Sequence, residues 1–125
     1  MMYALIIDDD KNNLEVLAQM LESQNVESIQ LDDPNHLDQV LQKTPDFDVV
    51  FLDLEMPETS GYEVLGYLRQ KGIDVPVIAY TIHLSQINHA RQNGFDGFVG
   101  KPLQFKRFPD QLRRILDGQP VWEAK

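Results

Sequence analysis

The sequence predicts a doubly wound α/β fold: a five-stranded parallel sheet in the order 2-1-3-4-5, covered by helices on both faces. Three observations carry the prediction. Short apolar runs alternate five times with stretches whose apolar residues recur at helical spacing, and that alternation calls for parallel strands joined by right-handed crossovers. The first, third and fourth runs are almost wholly apolar while the second and fifth are weaker, as the central and edge strands of that order require. The strong runs break off at Asp8, Asp53 and Thr81, polar groups that a parallel sheet gathers on one rim.

Residues 3–7 form the first apolar run and stop at Asp8-Asp9. Leu14, Leu17, Ala18 and Leu21 then recur at helical spacing and predict a first helix with one apolar face. In residues 26–31 only Val26, Ile29 and Leu31 are apolar, which suits an edge strand with one wet face. Asp32-Asp33-Pro34 ends it, and the proline opens a second helix through Leu37, Val40 and Leu41. Residues 49–52, Val-Val-Phe-Leu, read as a strand buried on both faces that ends in Asp53. Met56-Pro57 stiffens the loop beyond it, and Glu58-Thr59-Ser60-Gly61 turns the chain into a third helix over 61–71, with Val64, Leu65 and Leu68 inward and Gly72 closing it.

The fourth strand, 75–80, ends in Thr81. Ser85 is the expected N-cap of a short helix carrying Ile87 and Ala90, and Gly94 marks its end. A fifth strand over 95–99 runs out at Gly100-Lys101-Pro102. The last helix includes Leu112, Ile115 and Leu116; Pro109 falls in its first turn or delays its start. One domain, 1–118, is expected, followed by a short tail, 119–125, with no effector domain.

Lysine and arginine total 11 against 20 acidic residues, a net charge of −9, which argues against generic nucleic-acid or anionic-membrane binding. The charge is uneven. Residues 1–100 carry 5 basic and 17 acidic side chains, and residues 101–125 carry 6 and 3. Lys106, Arg107, Arg113 and Arg114 repeat at a seven-residue interval as a basic helix face, read as solvated and complementing the helix C-terminus. The chain has no cysteine, so disulfides and thiolate metal sites are excluded. His36, His83 and His89 show no metal spacing on a shared face. The apolar N-terminus is cut at Asp8-Asp9-Asp10, too early for a signal peptide or a membrane span, so a cytoplasmic location is expected.

In the predicted sheet, Asp8 and Asp9 leave strand 1, Asp53 strand 3, Thr81 strand 4 and Lys101 strand 5, all on the carboxyl rim beside the point where the winding reverses. Three carboxylates gathered there repel by roughly 4 kcal/mol per pair at about 4 Å and an effective dielectric near 20. They require a cation. Hard oxygen donors without histidine or cysteine favour magnesium, which keeps water sites for a phosphate oxygen. Asp53 is then a nucleophile for phosphorus, with Lys101 as a point charge and Thr81 as a hydroxyl donor to the phosphoryl oxygens.

The residues Ile6-Ile7-Asp8-Asp9-Asp10, 49–57 with Asp53 inside, Ala79-Tyr80-Thr81 and Phe98-Val99-Gly100-Lys101-Pro102, in that order and spacing, resemble a response-regulator receiver domain of two-component signalling, the chemotaxis-regulator type. The likeness covers essentially the whole chain. It implies a (βα)5 flavodoxin-like three-layer sandwich with Asp53 as phospho-acceptor, Asp9 on the metal directly, Asp8 largely through water, and the Glu55 backbone carbonyl as a further ligand of magnesium or manganese. Thr81 and Lys101 would hold the phosphoryl oxygens, and Lys101-Pro102 would be cis. Asp10 reads as a helix-start acid. Thr81 and Phe98 would form the switch, reshaping the surface of the fourth helix, fifth strand and fifth helix. The implied partners are a histidine kinase or histidine phosphotransfer protein upstream, and downstream a separate protein or an effector linked in a longer parent chain. The implied state is a monomer or a phosphorylation-dependent dimer.

Ile82 stands where such domains carry a small residue and is expected to narrow access to Asp53. Glu55 and His83, two residues after Asp53 and Thr81, occupy positions that tune phosphoryl lifetime. Two other readings compete: a receiver-like docking module that works without phosphorylation, and an aspartyl-phosphate hydrolase with Glu55 as acid/base, for which the chain has no room for a cap. A flavodoxin-like phosphate-binding module is disfavoured by the three aspartates after strand 1, which would repel a phosphate.

Overall fold

The computed structural model describes residues 2–43 and 46–123. Its strands are β1 (Met2–Ile7), β2 (Val26–Leu31), β3 (Val49–Leu52), β4 (Val77–Thr81), β5 (Gly97–Gly100) and β6 (Val121–Glu123). The helices are α1 (Lys11–Glu22), α2 (Leu37–Lys43), α3 (Gly61–Gln70), α4 (Ile87–Gln92) and α5 (Phe108–Leu116). All strands are parallel, in the order β2-β1-β3-β4-β5-β6.

The pleat divides the core in two. Leu5, Ile7, Val50, Leu52 and Phe98 face α2, α3 and α4, meeting Leu37, Leu65, Leu68 and Ala90. Ala4, Ile6, Val49, Phe51 and Val99 face α1 and α5, meeting Leu14, Leu17, Leu21, Phe108, Leu112 and Ile115. Strands buried on both faces cannot alternate in polarity, which is why β1, β3 and β4 read as continuous apolar runs.

Asp10 is the N-cap of α1, its carboxylate accepting from the N–H groups of Asn12 and Asn13, so the helix-start reading holds. Pro109 lies in the first turn of α5, where a missing N–H leaves no bond unmade. Ser85 does not cap α4. It lies inside a 3₁₀ turn, Leu84–Gln86, that feeds the helix directly, and the turn's own backbone bonds replace the side-chain cap.

The sheet extends past the expected five strands. Val121, Trp122 and Glu123 pair with Gly97, Phe98 and Val99, so the segment expected to be a tail adds a strand and β5 lies inside the sheet rather than at its edge. Glycine at 97 makes this possible: a Cβ there would lie 2.8 Å from the Val121 carbonyl oxygen and 2.9 Å from Ile78 Cδ1. The weak apolar character of β5 reflects a close approach on one side, not solvent.

Candidate functional site

The carboxyl ends of β1, β3, β4 and β5 meet at one rim. Asp8, Asp53 and Thr81 are buried there although polar, while Asp9 beside them is exposed. Carboxylate oxygens of Asp8, Asp9 and Asp53 all lie within 4.8 Å of one another. The Lys101 ammonium, its side chain only 7% exposed, sits 2.6 Å from Asp8 Oδ2 and 3.7 Å from Asp53 Oδ1. Its other side rests over the Tyr80 ring, 4.5 Å from the centroid. One cation thus serves two buried acids, so with both ionised the group carries one excess negative charge before Asp9 is counted.

The backbone fixes these side chains. Asp53 Oδ1 accepts a long hydrogen bond from the Glu55 N–H at 3.4 Å, and Asp8 Oδ1 accepts one from Asp10 N–H at 2.9 Å. Thr81 Oγ1 accepts from His83 N–H at 3.1 Å. Gly61 N–H donates to Leu54 O at 2.8 Å, and a bridge between Glu55 and Ser60 ties the loop after β3 into a closed turn. The Lys101-Pro102 peptide is cis.

Burial pushes the Asp53 carboxyl up to about 7; the Lys101 charge opposes this and the Asp8 charge adds to it. Asp53 therefore carries a proton part of the time near neutrality. The Tyr80 hydroxyl is raised as well, first by burial and then by the charges of Asp8 and Asp53, so it stays neutral.

Four of the sequence-predicted residues, Asp8, Asp9, Asp53 and Lys101, are brought into this one group, and Thr81 lies buried on the same rim at the end of β4, its carbonyl accepting from the Lys101 N–H at 2.8 Å. Glu55 and His83 are joined at its mouth: His83 Nε2 lies 2.9 Å from Glu55 Oε2, linking the loops after β3 and β4. Ile82 projects into solvent, 65% exposed, beside buried Thr81. Phe98 is fully buried in the core on the α2–α4 side, in register with Ala79 of β4 and Trp122 of β6. His36 and His89 are absent from the group: His36 lines a cleft of about 570 Å³ that starts at Asp9 and runs between Pro34 and Pro57, while the His89 ring packs on Tyr62. Sequence reasoning missed Tyr80 as the bed for Lys101. The available signal was an aromatic ring next to Thr81 at the end of a strand otherwise aliphatic.

A doubly wound parallel sheet that gathers three aspartates, a threonine and a lysine on its carboxyl rim defines the receiver class of signalling domain. The chain belongs to the response regulator receiver domain family, whose profile matches residues 4–113. It is 28% identical to the probable histidine kinase 6 of Oryza sativa subsp. japonica across 91% of this chain, spanning 14% of that much longer protein. It is 26% identical to the polar-differentiation response regulator DivK of Brucella anthropi, covering 90% of this chain and 94% of DivK. The response regulator TrrA of Thermotoga maritima, solved in complex with Mg²⁺ and BeF, superposes with a TM-score of 0.79 at 26% identity, covering 92% of this chain and 99% of that one.

Proposed function

We propose that this receiver domain accepts a phosphoryl group on Asp53 from the phosphohistidine of a histidine kinase or phosphotransfer protein. The observation that carries the reading is the arrangement of Asp8, Asp9 and Asp53 within 4.8 Å of one another with Lys101 shared between Asp8 and Asp53. An all-oxygen carboxylate set suits magnesium, or manganese in its place; Asp9, Asp53 and the Glu55 carbonyl would hold it directly and Asp8 largely through water. A metal held there would supply positive charge that offsets the phosphoryl oxygens and favours the ionised form of Asp53. TrrA, whose structure contains Mg²⁺ and BeF, is a precedent within the family.

In the transfer, an Asp53 carboxylate oxygen forms a bond to phosphorus while the bond from phosphorus to the donor imidazole nitrogen breaks, and the imidazole leaves with the electron pair and takes up a proton. Lys101 turns from Asp8 and Asp53 toward a phosphoryl oxygen, and the Thr81 hydroxyl donates to another. Thr81 moves inward, Phe98 turns into the vacated space, and the surface built by α4, β5 and α5 changes for a downstream protein or a linked effector. The same reading puts the domain in the cytoplasm, which a core built without cysteine suits; no helix among the described residues is long and apolar enough to cross a membrane.

Intact mass after incubation with a small phosphoryl donor tests the reading. One phosphoryl group should be added when magnesium is present, and none to Asp53→Asn or to the metal-free chain. No addition from the small donor or from a panel of histidine kinases would leave the docking-module reading in its place. The hydrolase reading has no cap in its favour, since the loop between β3 and α3 is a closed turn. Ile82→Ala should label from the small donor roughly 3-fold faster, less than 1 kcal/mol of barrier, and an unchanged rate would show that Ile82 does not narrow the approach.

A further inference from the structure

The three residues of β6 are each held by a different part of the domain. Val121 is buried with Ile78, Val99 and Ile115 on the α5 side of the sheet. Trp122 points to the other side, packs against the core there, and lies under the Arg91 guanidinium of α4, 4.9 Å from the ring centroid. The Glu123 carboxylate is enclosed on the α5 side: Oε1 accepts from Arg107 Nη2 at 2.9 Å and Gln111 Nε2 at 2.9 Å, and Oε2 pairs with Arg114 Nη2 at 2.7 Å. Gln111 is itself 3% exposed.

This is how a groove reads an extended peptide. Main-chain pairing to a sheet edge supplies affinity, and alternate side chains enter sites of distinct chemistry on either face. Here the sites are an apolar notch beside Gly97, a cationic platform at Arg91, and an arginine-lined carboxylate site on α5. The basic residues concentrated after residue 100 in an otherwise acidic chain thus have a use: Arg107 and Arg114 converge on one acid. Three paired residues are too few to hold a strand by the ladder alone.

We propose that the edge of β5 between α4 and α5 is a docking site for an extended segment of the pattern apolar–aromatic–acidic, and that the chain's own β6 occupies it until a partner protein presents such a segment in its place. The site coincides with the face assigned above to output, and to that extent rests on the receiver reading. Its occupancy by peptide needs no phosphoryl group.

The test is a fluorescein-labelled peptide of residues 119–123, Gln-Pro-Val-Trp-Glu, titrated by anisotropy against the full chain and against a Trp122→Ala, Glu123→Lys double variant. The double variant loses the Arg91 and Arg107/Arg114 contacts of β6, should leave the site open, and should bind about 10-fold more tightly or better than the unaltered chain. Adding Arg114→Glu to it should abolish binding. Binding to neither chain overturns the proposal, and so does a concentration-dependent dimer of the unaltered chain that exchanges β6 between copies. Because the variant can fail to fold, amide exchange of the unaltered chain supplies an independent result: β6 amides should exchange about 100-fold faster than those of β4 through a local opening. Equal protection makes β6 a fixed strand and ends the idea. A chain that binds the peptide yet never gains mass at Asp53 would refute the receiver mechanism and leave the docking site standing; the reverse pattern would do the opposite.

Discussion

Gly61→Ala should cost about 3 kcal/mol or more of stability and should also slow phosphoryl uptake. A Cβ at this position would lie 2.5 Å from the Asp53 carbonyl oxygen and 2.9 Å from Leu54 Cα. Both are backbone atoms, so no side chain can rotate aside to relieve the overlap. The same glycine donates its N–H to Leu54 O at 2.8 Å and begins α3, for which Ser60 is the N-cap. Pushing α3 away therefore breaks that bond, opens the turn and shifts Asp53, the proposed acceptor. Urea unfolding measures the first effect and the labelling rate under saturating magnesium the second. Gly66→Ala is the matched control: nothing lies within 4 Å of its Cβ, so within the same helix it should stabilise by roughly 0.5–1 kcal/mol. A Gly61→Ala chain within 1 kcal/mol of the parent would show that the loop adapts and does not fix Asp53.

Where β1, β3 and β4 run, sequence and structure agree because burial on both faces leaves a mark that local reading detects: four or five consecutive apolar residues with an abrupt polar end. The site was legible for the same reason, since its residues are those ends, and parallel topology alone brings Asp8, Asp53, Thr81 and Lys101 together. β6 was not legible. Val121-Trp122-Glu123 follows Gly118-Gln119-Pro120 and is too short for any period, and what holds it is distant in sequence: the missing Cβ of Gly97, Arg91 on α4, and Arg107, Gln111 and Arg114 on α5. The reading of β5 as an edge strand failed with it, because a glycine required by a neighbour's carbonyl looks, in sequence, like weak strand propensity. Ser85 failed more locally. Its type fits an N-cap, but a 3₁₀ turn already satisfies the start of α4, and type alone does not report which backbone N–H groups are open. The contacts of Glu55 with His83 and of Lys101 with Tyr80 are pairings of side chains on separate loops and strands, which strand order places near one another without fixing their orientation.

Replacing Asp53, the proposed acceptor, should make the metal-free protein more stable. Asp53 is ordinarily ionised well below neutrality, with a value of 3.8, but in the folded chain burial and the charge of Asp8 outweigh Lys101 and raise it to about 7. Folding therefore favours the protonated carboxyl. Below pH 4 both states hold the proton and Asp53 imposes no penalty; as pH rises from about 4 to about 7 the unfolded chain sheds it first, and stability falls; above 7 the penalty is complete. A difference of about 3 pH units is worth about 4 kcal/mol at most, and solvent screening at the open mouth leaves about 2 kcal/mol. Asp53→Asn, which keeps the shape and removes the charge, should exceed the parent by about that amount at pH 8 in chelator and match it near pH 4. Magnesium should invert the order. Binding only to the folded parent stabilises it by about 2.7 kcal/mol at 100 times its dissociation constant, while the asparagine variant lacks one of the three carboxylates and gains less. Paired urea titrations at pH 4, 6 and 8, with and without magnesium, read all of this directly. If Asp53→Asn is less stable than the parent at pH 8 without metal, then Lys101, not burial, dominates the acceptor's environment, and the carboxylate is held ionised and ready before any cation arrives.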